Sequence, residues 1–201
     1  MIIAVFVIAA YLIGAFPTSY IVGKVTRGID LREHGSGNLG ATNTYRVLGR
    51  RAAIPVFIVD ILKGWLPAAL FPLWDGSNVQ ELALAYGAAA IVGHVFSIYV
   101  GFKGGKGVAT SAGVFLALSP VAVLIGIALW ASIVLLTGYV SLGSITAAIA
   151  VPVLIYLLQG RQPVFWLSVA LAAFVIYSHR ANIRRLLRGE EHSFKRKAGT
   201  A

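Results

Sequence analysis

The sequence contains no cysteine, which excludes thioester intermediates, thiolate metal sites and disulfides from its chemistry. Charge is scarce as well: 12% of the 201 residues are Asp, Glu, Lys or Arg, where a water-soluble domain carries about 25%. A chain that is 58% hydrophobic with so little charge cannot clothe a globule in water, so a soluble single domain is excluded. Negative charge is scarcest, with seven Asp and Glu against seventeen Lys and Arg. In a soluble protein the resulting +10 would suggest nucleic acid. Here the positives flank apolar runs, where anionic lipid and membrane orientation account for them, and no nucleic-acid partner is expected.

What is present is a succession of apolar runs long enough to cross about 30 Å of hydrocarbon. Residues 2–23 form the first; no positive charge precedes it and basic residues follow it, so it reads as a retained span rather than a cleaved leader. Further spans are expected at 52–74, 82–102 and 163–178. Residues 108–158 carry no charge at all and are too many for one crossing, with breaks at Ser119-Pro120 and near Thr137-Gly138. Parity settles their number. If the basic segments 24–51, 103–107 and 179–197 all lie in the cytoplasm, fifteen of the seventeen positives are inside, while Asp75, Glu81 and Arg161 are outside. An odd number of crossings then separates 107 from 159, and three of roughly 17 residues fit. The expected fold is an all-α polytopic membrane protein with seven transmembrane helices, N-terminus out and C-terminus in. No internal repeat or low-complexity linker is visible, so residues 1–201 read as a single domain.

That topology places three polar segments on one membrane face. The first runs Gly35-Ser36-Gly37-Asn38-Leu39-Gly40-Ala41-Thr42-Asn43 and is followed by Arg46. Its glycines spell GxGxxG, but dinucleotide binding needs a βαβ unit, and apolar spans flank this segment instead. Glycines let consecutive N–H groups turn toward an anion, Ser36, Asn38, Thr42 and Asn43 add neutral hydrogen-bonding groups, and Arg46 adds a charged fork. A loop carrying helix-capping Ser, Thr and Asn is the other reading. The second segment, Lys103-Gly104-Gly105-Lys106-Gly107, opens into the next span. It is not a Walker A loop, since Gly107 follows Gly105-Lys106 where Ser or Thr is required. Either it orients the chain as a basic turn or its unpaired N–H groups, helix dipole and two ammonium groups hold phosphate. The third begins at His179 and includes Asn182, Arg184, Arg185, Arg188 and Glu191. Ile183, Leu186 and Leu187 share a helical face, as in a helix lying under anionic headgroups, while His179 and Asn182 lie one turn apart where the last span meets water.

Ionisable groups inside a membrane are functional suspects, because one at the bilayer centre costs about 2.5–3.5 kcal/mol on insertion scales. Asp60 and Lys63 form an i, i+3 pair that either neutralises itself or lines the site. His94 reads as a hydrogen-bonded interior histidine.

With GSGNLGATN, KGGKGVAT and HRANIRRLLRGEE in that order among the spans, the chain closely resembles the bacterial acyl-phosphate:glycerol-3-phosphate acyltransferase family, PlsY. The resemblance implies transfer of a fatty acyl group from acyl-phosphate to the 1-hydroxyl of sn-glycerol 3-phosphate, the first step of phospholipid synthesis. The products are lysophosphatidic acid and phosphate. It also implies no metal or other cofactor, no acyl-CoA, a multi-pass place in the bacterial inner membrane with a cytoplasmic active site, and a functional link to a soluble enzyme that makes acyl-phosphate. Residue by residue, it implies catalytic parts for Ser36, Arg46, His179 and Asn182, glycerol-phosphate binding by Gly104, Gly105 and Gly107, and a structural part for Glu191. Gly35, Gly37, Asn38, Thr42, Asn43, Lys103 and Lys106 fall inside the matched motifs and are assigned to substrate by their chemistry. Ser141, in Ser-Leu-Gly-Ser, matches a shorter pattern and is placed with them.

The chemistry such a reaction needs agrees with this inventory: two anionic phosphates held close, an oxyanion stabilised and one hydroxyl proton removed. The base is either His179 or the substrate phosphate, with substrate assistance preferred. None of His34, His94, His179 and His192 has Asp five residues on, so His-x4-Asp acyltransferase machinery is absent. Asp30, Asp60 and Asp75 are too scattered for metal-dependent phosphatidyl transfer. A small transporter or channel for phosphorylated metabolites is the alternative, since glycine-broken helices and intramembrane charges occur there too.

Overall fold

The computed structural model describes residues 1–194 apart from Asn78 and Gln80, and all regular structure among them is helical. The basic residues expected inside at 195–197 lie outside the described residues. The chain divides into two compact units, Met1–Leu118 and Ser119–Ala201.

The first unit starts with α1 (Ile2–Ala15) and α2 (Thr18–Arg27). One span is expected there, and Ile2–Arg27 is one stretch long and apolar enough to cross a membrane, though its helix is broken once. The break falls at Phe16-Pro17, because proline lacks an N–H and keeps the residue before it out of the helical region: Phe16 sits at φ −52°, ψ 117°. A loop then leads to α3 (Ala41–Leu48), which Gly49 turns sharply into α4 (Arg50–Trp74). The unit closes with α5 (Leu82–Val95), a 3₁₀ turn at Ile98–Val100, and α6 (Val108–Leu118). The span expected to run to residue 102 therefore ends its α-helix at Val95.

Two helix pairs in this unit approach through glycines placed reciprocally. A β-carbon on Gly64 of α4 would strike the carbonyl of Thr110 on α6, and one on Gly113 of α6 would strike the carbonyl of Ile61 on α4. In the same way Gly14 of α1 lies on the backbone of Ala90, and Gly93 of α5 on the backbone of Tyr11 and Ala15. Helices in lipid gain nothing from hydrophobic association, so such close backbone approach is what packs them.

The second unit consists of α7 (Pro120–Thr137), α8 (Val140–Gln159), α9 (Pro163–Ser178) and α10 (Arg180–Leu187), with α8 packed against α7, α9 and α10. Breaks fall at Ser119-Pro120 and Gly138, as the proline and glycine there predict, but the three helices from 108 to 159 are unequal. They contain 11, 18 and 20 residues, where three of similar length were expected. At 1.5 Å per residue α6 is only about 16 Å long. Five helical stretches among the described residues are long and apolar enough to cross a membrane, and the α9–α10 pair, bent by 57°, would make a sixth. On α10, Ile183 and Leu186 are half-buried while Leu187 is exposed.

Replacing Gly64 by leucine is expected to cost about 1–3 kcal/mol through forced separation of α4 and α6. Leucine at the outward-facing Ala128 should be neutral. Thermal unfolding of the two detergent-purified variants checks this; equal midpoints would contradict the glycine contact.

Candidate active site

The polar segment after α2 is built around two side chains. Arg32 bridges Asp30 with Nη2–Oδ2 at 2.7 Å and Nε–Oδ1 at 3.1 Å, and its Nη1 donates to the Val100 carbonyl at 2.9 Å. The bond from Arg32 holds the Asp30 carboxyl below its usual range, and Asp30 in turn raises the guanidinium. Leu31, Leu39 and Val100 bury together beside this fork. The segment is thereby fixed to the 3₁₀ turn.

Asn43 is the second organiser, 1% exposed. Its Oδ1 accepts the Ser36 N–H at 2.7 Å, and its Nδ2 donates to the carbonyls of Leu31 and His34, each at 3.0 Å. Both amide hydrogens are therefore spent on the loop, and Asn43 shapes the segment that presents Ser36. Gly35 and Gly37 adopt φ of +63° and +69°, and the Ser36 side chain is left exposed. Asn38 is half-buried in the same loop. Thr42 and Arg46 are four apart on α3 and share one of its faces.

The second segment meets the first. The Gly104 N–H donates to the Val95 carbonyl at 2.9 Å and the Gly105 N–H to the His94 carbonyl at 3.2 Å. A β-carbon on Gly105 would strike both the His94 ring and the Leu39 carbonyl. Gly104 and Gly105 thus spend their N–H groups on α5 and stand where a side chain would not fit. The phosphate-suited groups here are Lys103, exposed, Lys106, half-buried, and the first-turn N–H groups of α6. Gly107, at φ +78°, leads into that turn. The buried Ser111 hydroxyl, without a hydrogen-bond partner among the described residues, faces it.

Beneath this turn lie the intramembrane charges. Asp60 and Lys63 pair at 2.7 Å, both buried, and also line a small pocket under the loops. His94 is interior, as expected, but its Nδ1 makes no hydrogen bond among the described residues; Asp60 Oδ1 is 3.9 Å away.

In the second unit Glu191 is the hub. It is 3% exposed; its Oε1 accepts from Asn182 Nδ2 at 2.8 Å and Ser141 Oγ at 3.0 Å, and its Oε2 from Arg185 Nε at 2.7 Å. Ser141, assigned to substrate from its short motif, is thus engaged with Glu191. Burial alone would raise the Glu191 pKa, but the three donors outweigh it and hold the carboxyl below its usual value. His179 stands at the bend between α9 and α10 with Nδ1 2.8 Å from the Val175 carbonyl. A carbonyl only accepts, so Nδ1 carries a proton and donates to it.

Sequence reasoning missed the Asp30–Arg32–Val100 tie, the organising part of Asn43 and the presence of Thr18 at Asp60. Only the i, i+2 spacing of Asp30 and Arg32 signalled any of them.

Residues 4–189 match the family description Glycerol-3-phosphate acyltransferase. A glycerol-3-phosphate acyltransferase of Fusobacterium nucleatum is 46% identical over 190 residues, covering 94% of this chain and 97% of that one. One from Bacillus velezensis is 47% identical over 196 residues, covering 97% and 99%. The crystal structure of PlsY, an integral membrane glycerol 3-phosphate acyltransferase, in its glycerol 3-phosphate form matches with a TM-score of 0.89 at 41% identity, covering 96% of this chain and 95% of that one. Its lysophosphatidic acid form matches at 0.86 and 40%, with the same coverage.

Glu191→Gln is expected to lower stability by about 2 kcal/mol at neutral pH, the scale of charged hydrogen bonds lost. Because the folded carboxyl titrates below its ordinary value of 4.5, the difference from wild type is complete above that value and fades as pH falls through the lowered one. Thermal midpoints of both proteins across pH 3–7 check the sign; a difference growing toward acid would contradict it.

Proposed function

The chain belongs to the glycerol-3-phosphate acyltransferase family of integral membrane proteins, and we propose that its acyl donor is acyl-phosphate, transferred to the 1-hydroxyl of sn-glycerol 3-phosphate. The observation that carries this reading is the junction of the Ser36 loop with the Gly104-Gly105 turn at Leu39. It collects Ser36, Thr42, Arg46, Lys103 and Lys106 on two rigidly tied segments, which suits a pair of phosphates.

In the transfer the 1-hydroxyl oxygen attacks the acyl carbon, the bond from that carbon to the phosphate oxygen breaks, and the hydroxyl proton leaves. Inorganic phosphate departs and lysophosphatidic acid remains. Ser36, Thr42, Asn38 and neighbouring N–H groups are assigned to acyl-phosphate, and Arg46 and Lys106 to glycerol phosphate. In the second unit His179 and Asn182 keep the catalytic parts the motif implies, oriented by Val175 and Glu191. The Nδ1 partner of His179 is a carbonyl rather than a carboxylate, so it is not the orienting acid of a catalytic dyad. The proton goes to the substrate phosphate, whose second pKa is about 6 in phosphorylated side chains. No step calls on a metal.

We further propose seven crossings of a bacterial inner membrane, with the N-terminus out, the C-terminus in and the chemistry at the cytoplasmic face. The parity of basic segments supports this count. The donor comes from a soluble enzyme that makes acyl-phosphate, and residues 1–201 act as a single acyltransferase domain.

Detergent-purified protein is expected to make lysophosphatidic acid from acyl-phosphate and glycerol 3-phosphate, and none from acyl-CoA. Ser36→Ala should lower turnover by about 10²-fold or more. If His179→Ala removes chemistry while glycerol 3-phosphate still binds, the histidine and not the phosphate is the base. Because the chain has no cysteine, single cysteines introduced at Glu33, Lys103 and Arg188 report topology directly. All three should be labelled from the cytoplasm, and labelling of any from outside would refute the orientation.

A further inference from the structure

Asp60, Lys63 and His94 are buried in the first unit and take no part in the transfer described above. The Lys63 ammonium, besides pairing with Asp60, donates to the Phe16 carbonyl at 2.9 Å, which the break before Pro17 exposes. Thr18 Oγ1 donates to Asp60 Oδ1 at 3.3 Å. A cluster that only neutralised charge would be complete at this point. It continues through His94, whose Nδ1 faces Asp60 and whose Nε2 and Cε1 lie where a β-carbon on Gly105 would be. The backbone of the same residue and of Val95 holds the Gly104 and Gly105 N–H groups, and the Leu39 carbonyl closes on Gly105 as well. The turn is thus confined between the first loop and an imidazole that stands 3.9 Å from the carboxylate of a buried ion pair.

We propose that His94 is a positioning residue: its ring, backed by the Asp60–Lys63 pair, sets the Gly104-Gly105 turn so that the lysines and the start of α6 meet the phosphate of glycerol 3-phosphate. The inference rests on the reading that this turn serves that substrate. It predicts a defect in one substrate only, because the geometry it maintains belongs to one segment.

The test uses full-length, detergent-purified His94→Ala and His94→Gln, with initial rates against each substrate and thermal midpoints. His94→Ala should raise KM for glycerol 3-phosphate about tenfold and change KM for acyl-phosphate by less than about twofold, and His94→Gln, whose amide reaches the place of Nε2, should restore most of the loss. An unmoved glycerol 3-phosphate KM, an equal rise for both substrates, or no recovery with glutamine overturns the proposal. Should His94→Ala fail to fold, His94→Asn, whose shorter amide does not reach the place of Nε2 beside Gly105, takes its place: a selective rise of its glycerol 3-phosphate KM supports positioning and an unchanged ratio of the two KM values overturns it. Wild-type enzyme that makes no lysophosphatidic acid would instead sink the functional reading, so the two failures are distinguishable.

Discussion

Backbone-to-backbone approach at glycine is the contact on which the first unit depends. In hydrocarbon, apolar side chains gain nothing by leaving lipid for each other, so helices hold together through dispersion at close range and through the few polar bonds they share. Gly64 with Gly113, and Gly14 with Gly93, bring α4 to α6 and α1 to α5 with no side chain between. That closeness places carbonyls of Phe16, His94 and Val95 where Lys63 and the second glycine turn can use them.

The polar groups then follow a consistent physical rule. A charge inside the apolar layer is tolerated when its partner and remaining donors are satisfied at once. Asp60, Lys63, Thr18 and the Phe16 carbonyl meet that condition, so a cluster that would be costly piecemeal ties a helix break to α4. Glu191 does the corresponding job in the second unit, where one carboxylate gathers Ser141, Asn182 and Arg185 from segments fifty residues apart. In both places the ionised group contributes shape.

Glycine has three different uses here, and only one was anticipated. Gly35 and Gly37 take left-handed φ values, which a loop turning around Ser36 requires. Gly104 and Gly105 are needed for space and spend their N–H groups on α5, although a glycine-rich motif before a helix suggests N–H groups free for phosphate. The phosphate-suited character of that segment rests on its lysines and on the α6 start.

The membrane class, the breaks at Ser119-Pro120 and Gly138, the i, i+3 pair on α4 and the three motif segments were all legible in the residues, because each depends on composition or on spacing along one element. The break at Phe16-Pro17 is equally local, but the apolar run continues through it and masks it. The partners of Asn43, the seat of His94 under Gly105 and the glycine pairs could not be read, since each joins residues whose separation along the chain carries no periodic signal. A chain in lipid declares from its own composition which stretches are buried in the apolar layer; which backbone lies against which is decided only when the helices pack, because every apolar face is equally content with lipid until a glycine lets one neighbour come closer than the rest.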